Sequence, residues 1–151
     1  MPAPRPRAAR TPVAAAVSPL DEALRRVGDR WTLLVVEALL AGPQRFGTLE
    51  SGIDGLAPNI LSRRLKALEA DGVITAAPYS QRPYRVAYQL TASGEELAGA
   101  LRLLAQWGAA RGPDDCHVRH RTCGTEMEAR WWCPTCARTV DDDEAPDLDF
   151  V

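Results

Sequence analysis

Two groups of side chains in this chain have types and spacings suited to chemistry. The first is His120, Cys123, Cys133 and Cys136, which read H-x2-C followed, after nine intervening residues, by C-x2-C. Two residues between donors let a tight turn present both to one ion, with backbone amides directed at the sulfurs. Two such turns joined by a short hairpin complete a tetrahedral zinc site of the ribbon type. Gly124 suits a turn that needs positive φ, and Trp131-Trp132 can cover a site in a segment too small for a core. Under reducing conditions metal ligation outranks a structural disulfide. Cys116, with His117 beside it, is an alternative to His120, because C-x6-C…C-x2-C also closes a four-ligand set. With His120 as ligand, Cys116 is a spare thiol beside the metal. Oxidant attack on a zinc thiolate, or its pairing with Cys116, would then release the ion. Four protein ligands leave no position for water, so the expected Zn2+ is structural rather than catalytic.

The second group lies in residues 58–71. Leu61, Leu65 and Leu68 follow i, i+4, i+7 and define a buried helical stripe. Projected at ~100° per residue, Asn59, Arg63, Lys66 and Ala70 fall on the opposite face, with Ser62 on its flank. Amide, guanidinium, ammonium and hydroxyl groups are those that hydrogen-bond base edges and phosphates in a major groove. Arg pairs in a bidentate manner with guanine, and Asn with adenine. Lys66 is the only lysine in the chain and lies on this face. Arg64 projects sideways, towards a supporting role in the fold or a backbone contact. On an isolated helix such a face would simply be solvated, so the neighbouring elements decide its meaning.

Those elements are legible from punctuation and periodicity. Helices are expected at residues 20–27, 31–41, 46–53, 58–71 and 92–110, the second apolar almost all round and therefore central. Pro58 sits at a tolerated first-turn position, and Gly72 is a favourable terminator. The last helix starts either at a Thr91 cap or at a Ser93/Glu96 capping box. Residues 73–79 and 84–90, rich in Val, Tyr and Thr, flank Ser80-Gln81-Arg82-Pro83 and read as a β-hairpin. Four helices, a hairpin and a helix is the order of a winged helix-turn-helix. The hairpin would bring Gln81, Arg82 and Arg85 to a groove or phosphate, and Arg45 at the start of the third helix would add a phosphate contact. In the last helix Leu97, Leu101, Leu104 and Trp107 lie near one face, with Leu103 beside them. A domain this small has limited core to cover that area, so part of it is expected to meet a partner.

Composition frames the function classes. The formal net charge of −2 is an average over unlike segments: residues 1–17 carry +3, residues 18–112 carry +1 and residues 113–151 carry −6. The central region therefore remains free to meet a polyanion. No apolar run approaches the ~20 residues of a membrane-spanning helix. The Pro/Ala/Arg-rich opening lacks the apolar stretch of a secretion signal and reads as a disordered arm, so the cytoplasm is the expected compartment. An enzyme finds little support, with no nucleophile–base–acid set and no phosphate-cradling glycine loop.

Residues 18–111 resemble the HxlR-type winged helix-turn-helix regulators of bacteria. The likeness lies in Val27-Gly28-Asp29-Arg30-Trp31-Thr32-Leu33-Leu34, in Gly42-Pro43-Gln44-Arg45-Phe46 and in Ala57-Pro58-Asn59-Ile60-Leu61-Ser62-Arg63-Arg64-Leu65. It continues through Leu68-Glu69-Ala70-Asp71-Gly72-Val73-Ile74, Tyr88-Gln89-Leu90-Thr91 and Gln106-Trp107-Gly108. The resemblance implies a cytoplasmic homodimer, paired through its first and last helices, on a roughly palindromic operator. The two reading helices would stand ~34–36 Å apart. Many members that sense oxidants carry a Cys-Pro pair before the first helix, where this chain has Ser18-Pro19. Serine forms neither thiolate nor disulfide, so that mechanism is not available at this position.

The expected architecture is mainly α with a small β-hairpin (α+β). It comprises an arm at 1–18, a winged helix-turn-helix domain at 19–112, a zinc-ribbon-like segment at 113–140 and an acidic tail at 141–151. The expected function is a homodimeric, sequence-specific transcription regulator on double-stranded DNA, with no membrane partner and an effector the sequence does not name. The competing readings are a protein–protein adaptor using the winged-helix and ribbon surfaces, and a redox sensor acting through the zinc thiolates.

Overall fold

Asp29 organises the first half of the domain by capping a helix. Its Oδ1 accepts from the backbone amides of Trp31 and Thr32 at 3.0 and 3.2 Å, which ends the turn after α1 (Pro19–Val27) and starts α2 (Arg30–Leu39). The computed structural model describes residues 18–111 and 118–140. Residues 1–17 of the expected arm, Cys116 with His117, and the acidic tail at 141–151 lie outside the described residues.

α2 is the central helix, as its all-round apolarity requires. Thr32, Val35, Val36 and Leu39 are buried, and the helix packs on α4 (Pro58–Ala70), β3 (Tyr84–Leu90) and α5 (Ala92–Ala109). β1 (Gln44–Arg45) and α3 (Phe46–Gly52) connect α2 to α4. One cluster forms the core: Val35, Val36 and Leu39 of α2, Leu49 of α3, Ile53 and Leu56 of the following turn, Leu61, Leu65 and Leu68 of α4, and Val73 with Ile74 beyond it.

α4 ends as its sequence dictates. Gly72 adopts φ +70°, the Gly72 amide bonds the Glu69 carbonyl and the Val73 amide bonds the Leu68 carbonyl at 2.9 Å. That is a Schellman closure, and only glycine enters its left-handed position without steric cost. The chain then turns directly into β2 (Ile74–Gln81), which pairs antiparallel with β3.

The wing differs from the expected hairpin in two respects. First, β2 continues through Ser80 and Gln81, leaving Arg82-Pro83 as the turn. A register shift between Pro78 and Ser80 lets Ser80 pair with Arg85 and Gln81 with Tyr84. An alternating pattern cannot signal such a bulge, because the extra residue breaks the period. Second, β1 adds a third strand, pairing Gln44 with Tyr88 and Arg45 with Ala87 in the order β1-β3-β2. Two residues are too few to show periodicity. Pro78 is accommodated because β2 is an edge strand.

Thr91, rather than Ser93, starts α5: its Oγ1 accepts from the Gly94 amide at 3.2 Å and donates to the Gly72 carbonyl at 2.6 Å. Gly94 lies directly against the Val73 carbonyl, where a Cβ would collide. Leu97 and Leu101 pack on the core, whereas Leu103, Leu104 and Trp107 are exposed. The apolar face expected along this helix is thus shared between the domain's own core and solvent.

The C-terminal segment holds an isolated antiparallel bridge between Arg119 and Glu126 and a hairpin of β4 (Trp131–Cys133) and β5 (Arg138–Val140). Leu103 and Gln106 of α5 face Glu128, Arg130, Trp131 and Val140 across a groove of about 440 Å³. Among the described residues no helix is long and apolar enough to cross a membrane.

Candidate nucleic-acid interface

α4 separates its faces sharply. Leu61, Leu65 and Leu68 are 0, 2 and 1 % exposed, and their burial turns Asn59, Arg63 and Lys66 to solvent, with Ser62 half-buried on the flank. Neither Arg63 nor Lys66 forms an ion pair with a described residue. Asn59 sits in the first turn, where its Oδ1 accepts from the Ile60 amide at 3.0 Å, so one end of its amide is already engaged.

The neighbouring Arg64 does something different. Its Nη2 meets Asp29 Oδ2 at 2.8 Å, so one carboxylate caps α2 with one oxygen and ties down α4 with the other. The side chains are about one-third exposed, which limits the Coulomb gain, but the pair fixes how the outward face of α4 is presented. Glu69 ties α4 to the wing: its Oε1 accepts from the Ala76 amide of β2 at 3.3 Å. The Tyr88 phenol on β3 is pushed above its ordinary value by burial and, secondarily, by the Glu69 carboxylate.

Gln81, Arg82 and Arg85 are all exposed at the wing, Gln81 closing β2, Arg82 in the turn and Arg85 on β3. Arg45 lies at the junction of β1 and α3, with its guanidinium 4.4 Å above the Tyr79 ring. Tyr79 is the residue at the β2 bulge. Arg45, Thr48, Tyr79 and Arg85 line a hollow of about 470 Å³ between α3 and the base of the wing. Two guanidinium groups at one concavity favour an anion there. Arg45 and Arg85 therefore come together, Asn59, Arg63 and Lys66 share the α4 face, and Gln81 and Arg82 stand at the wing tip.

Sequence reasoning missed three contributors to this arrangement: the β1 strand, the Arg45–Tyr79 stack and the Asp29–Arg64 bridge. Asp29 was detectable in principle, as an Asp two positions ahead of the apolar stretch that begins at Trp31. The stack and the bridge join residues remote in sequence and leave no local signal.

The expected metal ligands are brought together two by two. His120 Nδ1 lies 3.2 Å from Cys123 Sγ, in a turn closed by the Gly124 amide on the His120 carbonyl at 2.7 Å. Cys133 and Cys136 share the turn between β4 and β5. Among the described residues no three His, Cys, Asp or Glu side chains form a metal-binding group. The Cys123 thiol is lowered to about 7, first by the Thr125 hydroxyl, then by the Thr125 amide and His120. Cys133 is lowered first by the Cys136 amide, then by the Cys136 thiol.

A model of the HxlR-like helix-turn-helix family matches residues 26–115. This chain belongs to the HxlR-like family. An HTH-type transcriptional regulator of Mycobacterium tuberculosis is 37% identical over 126 residues, covering 80% of this chain and 78% of its own. Among solved structures, PA1607, described as a transcription-factor candidate, superposes with a TM-score of 0.71 at 30% identity, over 85% of this chain and 92% of its own. The redox regulator HypR in its reduced form gives 0.59 at 28% identity, over 62% of this chain and 93% of its own. The HxlR-like chain is therefore a transcriptional regulator of the helix-turn-helix type, built, among the described residues of its winged domain, on five helices and a small antiparallel sheet. Residues 18–111 make up less than two thirds of the chain, so its likeness to PA1607 extends beyond the winged domain.

Proposed function

We propose that this HxlR-like regulator binds double-stranded DNA as a homodimer, with α4 in the major groove and the wing on the adjacent backbone or minor groove. Arg63 and Lys66, with Asn59 and Ser62, read bases or neighbouring phosphates; Arg45, Gln81, Arg82 and Arg85 grip the backbone. The observation that carries this reading is the outward cationic face of α4, which forms no ion pair with a described residue and is held in place by three buried leucines and by the Asp29–Arg64 bridge. Homodimer pairing through α1 and α5 is supported by the leucines and tryptophan that both helices leave uncovered. Two-fold symmetry then places the α4 helices ~34–36 Å apart on a roughly palindromic operator.

The experiment is selection of bound fragments from genomic DNA with the purified protein, followed by gel shifts across a salt series. Binding through several phosphates should fall steeply with ionic strength. Salt-insensitive retention, or no enriched sequence, would favour the protein–protein adaptor reading instead. A redox-sensing role is the second reading, supported by the likeness to HypR. With Ser18 ahead of α1, it would have to run through the C-terminal thiols, and operator affinity unchanged by peroxide would refute it.

A further inference from the structure

The C-terminal segment contains two turns of the same build, and the DNA-binding reading uses neither. In each, two donor side chains stand three positions apart and the residue after the second donor adopts a left-handed conformation. Gly124 follows Cys123 with φ +72°, and Ala137 follows Cys136 with φ +51°. The left-handed region costs a non-glycine residue roughly 1 kcal/mol, and Ala137 adopts it in the short turn that joins β4 to β5. In both turns the side chains are already drawn together. His120 Nδ1 is 3.2 Å from Cys123 Sγ, and Cys133 and Cys136 stand in the one tight turn that joins β4 to β5. These are two halves of a metal knuckle, repeated in one segment of 23 described residues.

Packing supplies the second argument. Across residues 118–140 no side chain is buried; Val118, Cys133 and Val140 are half-buried and the rest are exposed, including Trp131 at 61 % and Trp132 at 60 %. Three-residue strands without a core do not hold a hairpin in water, and segments of this size acquire stability from a metal or a cross-link. Three thiols and an imidazole form a borderline-soft set that suits Zn2+ in tetrahedral geometry.

From these observations we infer that His120, Cys123, Cys133 and Cys136 bind one Zn2+ ion, which clips the two turns together and organises the C-terminal segment beside α5. The two pairs stand apart among the described residues. Residues 127–130, which carry neither helix nor strand, form the connection across which they close. Coordination displaces the proton from each thiol that carries one and leaves no position for water, so the ion is structural. The inference is independent of the DNA-binding reading, because its readouts are metal content and the state of residues 118–140.

The test uses the full-length chain purified under reducing conditions. Elemental analysis should find about one zinc per chain, and Co2+ replacement should give the visible bands of tetrahedral thiolate coordination. Loss of an outer partner of a metal ligand costs up to ~100-fold in affinity, so H120A, C123S, C133S and C136S should each weaken Co2+ binding by at least that factor. C116S should leave it unchanged. Should a ligand variant misfold, the wild-type chain treated with a chelator gives an independent readout. Limited proteolysis should then cut within 118–140 while 18–111 stays intact, and added Zn2+ should restore protection. A zinc-free chain without tetrahedral Co2+ bands would overturn the site. Binding that survives H120A but not C116S would overturn the ligand set. A digestion pattern indifferent to chelator would overturn the clip.

Discussion

Arg63 and Arg64 are adjacent and chemically identical, yet their surroundings give them different work. Arg64 is tied by its bridge to Asp29, whereas Arg63 stands on the exposed face with no ion pair to a described residue. The distinction follows from the 100° step between neighbouring helical positions, and the leucine spacing already separated the two arginines. Their partners were not legible, because the Asp29–Arg64 bridge spans 35 positions. Arg63→Ala should relax specificity by about 1–3 kcal/mol at one base pair, while Arg82→Ala in the wing turn should weaken operator and scrambled DNA alike. Gel shifts on both duplexes separate the outcomes, and equal losses for Arg63→Ala would remove it from base reading.

At the scale of elements, the orientation of α5 depends on one close approach. Thr91 caps the helix and reaches back to the Gly72 carbonyl, while Gly94 lets the first turn lie against the Val73 carbonyl. Gly94→Ala forces a Cβ into that backbone oxygen. Ala is the better helix former, by up to about 1 kcal/mol, so a stability gain is what helix propensity alone predicts. Overpacking against backbone costs about 1–3 kcal/mol, and the collision should win. Urea melts of the variant should show a lower midpoint, and a raised midpoint would show that α5 can shift freely. The sequence identified the Thr91 cap as one of two alternatives, and tertiary contact with the α4–β2 turn selected it. The wing shows the same limit: alternation located both strands, but the bulge that aims Tyr79 at Arg45 and the pairing of β1 with β3 depend on neighbours across the sheet.

For the whole molecule, exposed apolar surface points to assembly. Leu20 and Leu24 on α1 are 65 % and 54 % exposed among the described residues, and Leu104 and Trp107 on α5 are 55 % and 61 % exposed. The Arg111 guanidinium lies 4.2 Å over the Trp107 ring, and large apolar side chains left exposed on two helices are of the kind that marks an interface. Introducing charge there, as in Leu104→Glu with Trp107→Glu, should shift sedimentation to the monomer. Operator affinity should fall at least tenfold while far-ultraviolet circular dichroism is retained. A dimer that persists would place the interface elsewhere.

Local chemistry in the sequence determined the helices, the wing strands, the polar face of α4 and the two donor pairs of the C-terminal segment. Each depends on spacing within a few residues, where backbone geometry converts sequence distance into direction. Tertiary structure alone decided the third strand, the stack of Arg45 on Tyr79, the tether of Arg64 to Asp29 and the division of α5 between core and solvent. Those features arise where segments remote along the chain compete for the same space, and a one-dimensional pattern carries no record of that competition.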